Sequence, residues 1–251
     1  MMDSTSWLIR KPQPSPQLRL ICFPYAGGSA QAFASWQAAL GPSIEVCAVQ
    51  LPGREMRMAE APITSLDKIL VNLTRVLQSL DNVQFAFFGH SLGALVAFEL
   101  TRLLRRHDMT MPCQLIVSGA SAPRHRSKSR EIHALPDRDL IEALRAYEGS
   151  PPEVLNNNEL MELLLPMIRA DFELGERYVY QPSLPLSLPI TVFTGTSDNH
   201  VALESARQWR EETLGECKVH VFEGSHFFIH TQRIAVLEQL TTALLEIQAL
   251  A

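Results

Sequence analysis

One short segment restricts the possible folds of this chain more than any other. The apolar, aromatic-rich run from Val83 to Phe88 leads directly into Gly89-His90-Ser91-Leu92-Gly93, and helical spacing then continues from Leu92 to Arg106. The chain must therefore pass from buried strand to helix within about one residue. Such a turn forces Ser91 into a strained backbone conformation and lifts its hydroxyl above the edge of a sheet. Gly89 and Gly93 leave room for the close approach of strand and helix, with Ala94 helping in the same way. A chance Gly-x-Ser-x-Gly in a surface loop is the competing reading, but it would lack the flanking strand and helix.

The rest of the chain has the rhythm this segment requires. Leu18 to Phe23 and Ile44 to Val49 read as buried strands, and Leu66 to Leu80 carries apolar residues at helical spacing. Leu115 to Val117 opens a fourth strand, Ile190 to Phe193 a fifth and Lys218 to Phe222 a sixth. Helices are expected at Leu203 to Thr213 and from Ile234 to about Ile247. Strands alternating with helices predict an α/β fold, with a mostly parallel central sheet and helices on both faces. The rhythm breaks between Ala122 and Leu188, where two helical patterns (Asp137 to Tyr147 and Glu159 to Tyr178) replace strands. A helical lid inserted at about 122–188 into a single domain is the expectation. With 251 residues, 46% of them apolar, one large core can be buried.

Charge and cysteine usage exclude some functions. A net charge of -5 argues against nonspecific nucleic-acid binding, though not against a local basic patch. Cys22, Cys47, Cys113 and Cys217 form no CxxC pair and read as buried free thiols. The stretch from Met1 to Pro16 reads as a loose, polar tail without an apolar signal core. No window approaches a membrane span, so a cytoplasmic location without membrane association is expected.

A serine hydroxyl needs a base to act as a nucleophile at neutral pH. Where the nucleophile sits on such an elbow, acid and base follow it in chain order, the histidine in a loop after the last strand. His226, in Gly224-Ser225-His226-Phe227-Phe228, has that position. His230 is its nearest rival, falling in or near the last helix; His220 lies inside a strand and His200 ahead of it. His90 reads as structural, and His107, His125 and His133 as solvated. Asp198 follows the fifth strand and is the expected acid, with a turn-forming role as the alternative and Glu204 and Glu223 as other carboxylates. An oxyanion would be held by the backbone N–H of Leu92 and by one from Phe23-Pro24-Tyr25-Ala26-Gly27-Gly28-Ser29, with Ala26 the choice there. An ordinary Gly-rich turn is the competing reading of that loop. No metal site is expected.

Together these residues resemble the type II thioesterases that accompany polyketide and nonribosomal peptide synthetases, and the related medium-chain thioesterases of fatty acid synthesis. The resemblance runs from about Leu18 to Ile247. It includes Leu51-Pro52-Gly53-Arg54-Glu55 and Arg169-Ala170-Asp171-Phe172, followed by Tyr178 and Tyr180. It departs from the family's common pattern at Leu92, often Met, and at Ser225, often Asp. The resemblance implies an α/β-hydrolase fold with Ser91 as nucleophile, Asp198 as acid and His226 as base. It implies acyl or aminoacyl thioester substrates on the phosphopantetheine arm of an acyl or peptidyl carrier protein, and editing of misloaded arms. No cofactor of the enzyme's own is expected, since the arm belongs to the partner; a monomer is the default. A carboxylesterase, lipase or acyltransferase would share every catalytic group, and a non-catalytic docking subunit would share the scaffold. The run Arg124-His125-Arg126-Ser127-Lys128-Ser129-Arg130 is a candidate carrier-docking patch through Arg124, Arg126, Lys128 and Arg130, with a merely solvated loop as its alternative.

Overall fold

Continuous apolar strands can be buried only in a sheet covered on both faces, and alternation of side chains then divides each strand between two cores. A computed structural model describes residues 6–126, 131–147, 149 and 151–248. Its elements, in chain order, begin with β1 (Leu8–Arg10), β2 (Leu18–Phe23), α1 (Trp36–Leu40), β3 (Ile44–Val49), α2 (Leu66–Gln78), β4 (Phe85–His90), α3 (Leu92–Arg106) and β5 (Leu115–Ser118). Next come α4 (Asp137–Tyr147), α5 (Pro152–Leu155), α6 (Asn158–Glu176), β6 (Ile190–Gly195), α7 (Leu203–Arg207), β7 (Cys217–Phe222), α8 (Phe228–Thr231) and α9 (Arg233–Gln248).

Among the described residues the strands form one seven-stranded sheet in the order β1-β3-β2-β4-β5-β6-β7. Every neighbouring pair is parallel except β1 with β3. Ile21, Phe23, Phe87 and Val117 face one core with α2 and α3. Leu20, Cys22, Phe88 and Ile116 face the other, with α1 and α9. The fold is that of the α/β-hydrolases.

Two differences from the sequence reading have local causes. Leu8–Arg10 is not tail: it pairs antiparallel with β3, Trp7 is buried, and Arg10 reaches Glu45 at 3.0 Å. Three residues are too few for periodicity to reveal a strand. The helix expected over Leu203 to Thr213 stops at Arg207 and tightens into a 3-10 turn over Gln208–Glu212.

Between β5 and β6, α4, α5 and α6 build a separate apolar cluster from Leu140, Leu144, Leu155, Met161, Leu165, Met167 and Ile168. Asn157 caps α6 by accepting from the Leu160 N–H at 3.1 Å. Among the described residues no helix is long and apolar enough to cross a membrane.

Candidate active site

The strand-to-helix turn between β4 and α3 places Ser91 at φ 54° and ψ −114°, outside the usual regions for a residue with a side chain. A Cβ on Gly93 would lie 2.0 Å from the Phe23 carbonyl oxygen, and one on Gly89 2.3 Å from that of Gly93. The elbow therefore closes only with glycine at both places. The Ser91 N–H donates to the Ser118 carbonyl at 2.8 Å, which ties the turn to β5.

Asp198 and His226 leave the neighbouring strands β6 and β7. Oδ2 of Asp198 lies 2.8 Å from Nδ1 of His226, with both side chains almost fully buried. A carboxylate only accepts, so Nδ1 carries the proton and Nε2 of the neutral ring is left as acceptor. Oδ1 accepts from the N–H groups of His200, at 2.8 Å, and Val201, at 3.0 Å. Burial raises the Asp198 pKa, but the His226 hydrogen bond and charge, with these two amides, outweigh it and hold the carboxyl below its ordinary value. Glu204 is paired instead with Arg207 on α7. Ser91 and His226 line the same cavity, and among the described residues Ser91 Oγ makes no hydrogen bond.

The loop after β2 makes a tight turn in which the Gly28 N–H donates to the Tyr25 carbonyl at 2.9 Å. Gly27 takes φ 74°, a conformation suited to glycine. Among the described residues the Ala26 N–H has no hydrogen-bond partner, and Ala26 lines the cavity beside Ser91 and Leu92. Leu92 opens α3, where first-turn N–H groups have no partner within the helix.

This loop is held from the lid. Oδ2 of Asp171 on α6 accepts from the Gly27 N–H at 2.8 Å. The same carboxylate takes both ends of the Arg54 guanidinium, at 2.8 and 2.7 Å, and Arg54 also donates to the Gly28 carbonyl at 2.7 Å. Arg54 is 3% exposed and Asp171 1%, so this is a fully desolvated pair. The two motif segments around Arg54 and Asp171 thus act together. Sequence reasoning assigned them no role, because 117 residues separate them.

A cavity of about 660 Å³ opens above Ser91. Leu144, Leu164, Met167 and Phe172 of the lid line it; Leu140 does not, being fully buried within the lid's own cluster. Tyr147 of α4 stacks on His200 with ring centroids 3.9 Å apart, joining the lid to the Asp198 loop. His133 is not solvated as expected: it pairs with Glu176 of α6. His90 is fully buried, with Nδ1 2.9 Å from Ser118 Oγ, and His230 bonds the Tyr25 hydroxyl at 3.0 Å.

Two residues of the candidate docking run, Arg124 and Arg126, are among those described. Arg124 is offset by Glu212 at 3.5 Å and Glu211 at 4.0 Å. Arg126 instead lines the cavity, its guanidinium against Gly175. Lys128 and Arg130 lie outside the described residues. Burial pushes the Cys47 thiol up to about 12 and Cys113 to about 11, so neither is a reactive thiolate. Among the described residues no cluster of His, Cys, Asp or Glu is arranged to hold a metal ion.

Comparison with known proteins identifies the family. A family profile described as a thioesterase domain matches residues 18–244. The gramicidin S biosynthesis protein GrsT of Aneurinibacillus migulanus is 44% identical over 222 residues, covering 88% of this chain and 87% of that protein. The thioesterase PikA5 of Streptomyces venezuelae is 35% identical over 246 residues, 97% of this chain and 87% of that one. Among solved structures, the type II thioesterase BorB from the borrelidin biosynthetic cluster superposes with a TM-score of 0.88 at 36% identity, covering 96% of this chain and 99% of BorB.

Proposed function

This chain belongs to the thioesterase domain family and is a serine hydrolase of thioesters, and we propose that it clears acyl or aminoacyl groups from the phosphopantetheine arms of carrier proteins in polyketide or nonribosomal peptide assembly. The observation that carries this reading is one cavity lined by Ser91, His226 and Ala26, whose N–H has no hydrogen-bond partner among the described residues.

The proposed chemistry follows from those positions. Ser91 Oγ attacks the thioester carbonyl while Nε2 of His226 takes its proton. Asp198 holds the ring in the required tautomer and stabilises the imidazolium. The Ala26 and Leu92 N–H groups receive the oxyanion. The carbon–sulfur bond then breaks, His226 returns the proton to the thiol, and the arm leaves. Water, deprotonated by His226, attacks the acyl-Ser91 ester, the bond to Ser91 Oγ breaks as His226 returns the proton to it, and the acid is freed. Arg124 contributes little free charge toward an acidic carrier, because Glu211 and Glu212 offset it, so the reading does not rest on docking there.

The test compares one acyl chain in three forms: on a carrier protein, on pantetheine, and as a simple oxoester. The proposal expects kcat/KM to fall in that order. Faster hydrolysis of the oxoester would replace this reading with a carboxylesterase. Equal rates on carrier and free pantetheine would remove the carrier from it.

A further inference from the structure

The cavity wall carries a charge that the mechanism above does not use. Arg126 follows the short 3-10 turn Pro123–His125, and its side chain lines the cavity while staying open to solvent. A Cβ built on Gly175 would lie 3.3 Å from the Arg126 Nη2 and 3.7 Å from Leu92 Cδ1, so guanidinium and Leu92 side chain flank the same point of α6. Leu92 is the residue next to the nucleophile. Among the described residues the guanidinium has no hydrogen bond and no ion pair.

The two carboxylates that share the cavity lining with it are engaged elsewhere. Asp171 is taken by Arg54 and the Gly27 N–H. Glu176 accepts from the N–H groups of Ile132, at 2.9 Å, and His133, at 3.1 Å, and pairs with the His133 ring. The Tyr178 hydroxyl donates to Glu99 at 2.6 Å. Water reaches Arg126 from the cavity, yet surrounding atoms crowd it enough that burial lowers its pKa, against the opposing pull of Tyr178, Tyr147 and Glu176. A guanidinium stays charged under these conditions, and this one meets no hydrogen-bonding or ion-pair partner among the described residues.

Resting on the thioesterase reading, we propose that Arg126 is an anion subsite of the acyl chamber and selects acyl thioesters whose chain ends in a carboxylate. Apolar side chains such as Leu95, Met161, Leu164 and Met167 wall much of the chamber beside the carboxylates of Asp171 and Glu176, and among the described residues Arg126 is the one arginine or lysine on its lining. The position beside Leu92 sets the length. With the thioester carbonyl at Ser91, the carboxylate belongs to a short dicarboxylic half-thioester. The phosphodiester of the arm is the other anion a substrate would bring. It is separated from the sulfur by two amides and their linking chains, and points away from the acyl end.

The experiment uses N-acetylcysteamine thioesters of matched carbon number, succinyl against butyryl and glutaryl against valeryl, with the wild type, Arg126→Met and Arg126→Lys. Wild type is expected to favour the dicarboxylic member of each pair. Arg126→Met should lower kcat/KM for succinyl by about ten- to a hundredfold, as expected for loss of a charged hydrogen bond, and leave butyryl nearly unchanged. Arg126→Lys should keep part of the preference. The Met variant should melt no lower than wild type, because an unpaired charge has been removed. Equal losses on both substrates, or no loss on either, would overturn the proposal. Butyryl-pantetheine and butyryl-phosphopantetheine form a second arm. A loss confined to the phosphorylated arm would show that Arg126 reads the phosphodiester, and the acyl-carboxylate assignment would be wrong. If wild type cleaved none of these thioesters, or Ser91→Ala cleaved them equally well, the thioesterase reading itself would fail.

Discussion

The floor of the cavity, at the C-terminal edge of the sheet, holds Ser91, Asp198 and His226 by backbone strain and short hydrogen bonds. The roof, α4 to α6, closes over them mainly by apolar contact among residues such as Leu144, Met161 and Met167. Groups that must stand within hydrogen-bonding distance of reacting atoms tolerate little displacement, and the floor fixes them with directional bonds. An apolar wall has no direction to specify and can accept chains of differing shape. On this contrast, floor substitutions should change the rate for every substrate, and roof substitutions should change the choice among substrates.

The largest effect should come from the floor. Ser91→Ala and His226→Ala are each expected to lower kcat by about 10^4-fold or more, equally for short and long acyl chains, since triad members act as a unit. Asp198→Asn should lose about 10^3- to 10^4-fold, because the ring would no longer be held in the tautomer that leaves Nε2 free. Stopped-flow hydrolysis with a far-ultraviolet spectrum of each variant checks both. A variant whose loss depended on chain length would break the contrast.

Asp171 crosses the boundary: it belongs to the roof but holds the Gly27 amide of the loop after β2. Asp171→Asn should lower kcat by about ten- to a hundredfold for all chains, if the loop loses its alignment. It should also destabilise by about 3–5 kcal/mol, since Arg54 would be left buried without its carboxylate. The two effects can be separated. Arg54→Met with Asp171→Leu should recover most of the stability, because apolar replacement of a buried pair is often neutral. It should not recover the rate, because nothing then accepts from Gly27. Recovery of both would make Asp171 a structural member of the roof only.

The same boundary marks how far the sequence could be read. The Ser91 elbow was legible because its signal is local: an apolar strand, two glycines two residues on either side of a serine, and a helix. Positions for Asp198 and His226 followed from chain order alone, each just after a strand. The roof gave helices by periodicity, with α4 matching its expected span of Asp137–Tyr147. Its long-range pairings were not legible, since Asp171 with Arg54 and Tyr147 with His200 leave no periodic trace. For the same reason the charge run at Arg124 to Arg130 gave no hint that Arg126 lines the cavity: spacing reports which residues are charged, not where their side chains end.

Smaller effects should come from the roof's apolar side chains. Leu144→Ala and Leu164→Ala, both on the cavity wall, should leave acetyl thioester hydrolysis within about twofold. For chains long enough to reach them, kcat/KM should change about fourfold for each substrate methylene that the wall no longer covers, the equivalent of roughly 0.8 kcal/mol. A chain-length series measures this directly. A uniform drop across the series would mean that these residues steady the floor as well.

The smallest effect sits beneath the floor and separates proximity from participation. His90 adjoins Ser91, and its ring centroid is 5.1 Å from that of His226. Yet it is fully buried, its Nδ1 meets Ser118, and its Nε2 has no partner among the described residues. Burial, then the nearby His226 and His230, hold its pKa well below the ordinary value, against a weaker opposing backbone contact from His226. The folded ring is therefore neutral, whereas the unfolded chain gains a proton below about pH 6.5. Because the unfolded state then binds the extra proton, this contribution to stability is full above pH 6.5 and declines as pH falls below it. One such group contributes a slope of up to about 1.4 kcal/mol per pH unit. The Asp198 contribution has the same sign but is lost only as pH falls below about 4, so the two windows are distinct. Urea unfolding of wild type and His90→Gln between pH 5 and 7.5 should show the variant's stability falling less steeply with acid, by one proton. Its kcat should stay within about tenfold of wild type, because His90 holds the floor up without touching the substrate. An unchanged slope would mean that His90 is charged in the folded protein. A loss of rate as large as that of His226→Ala would move it from the support of the floor into its chemistry.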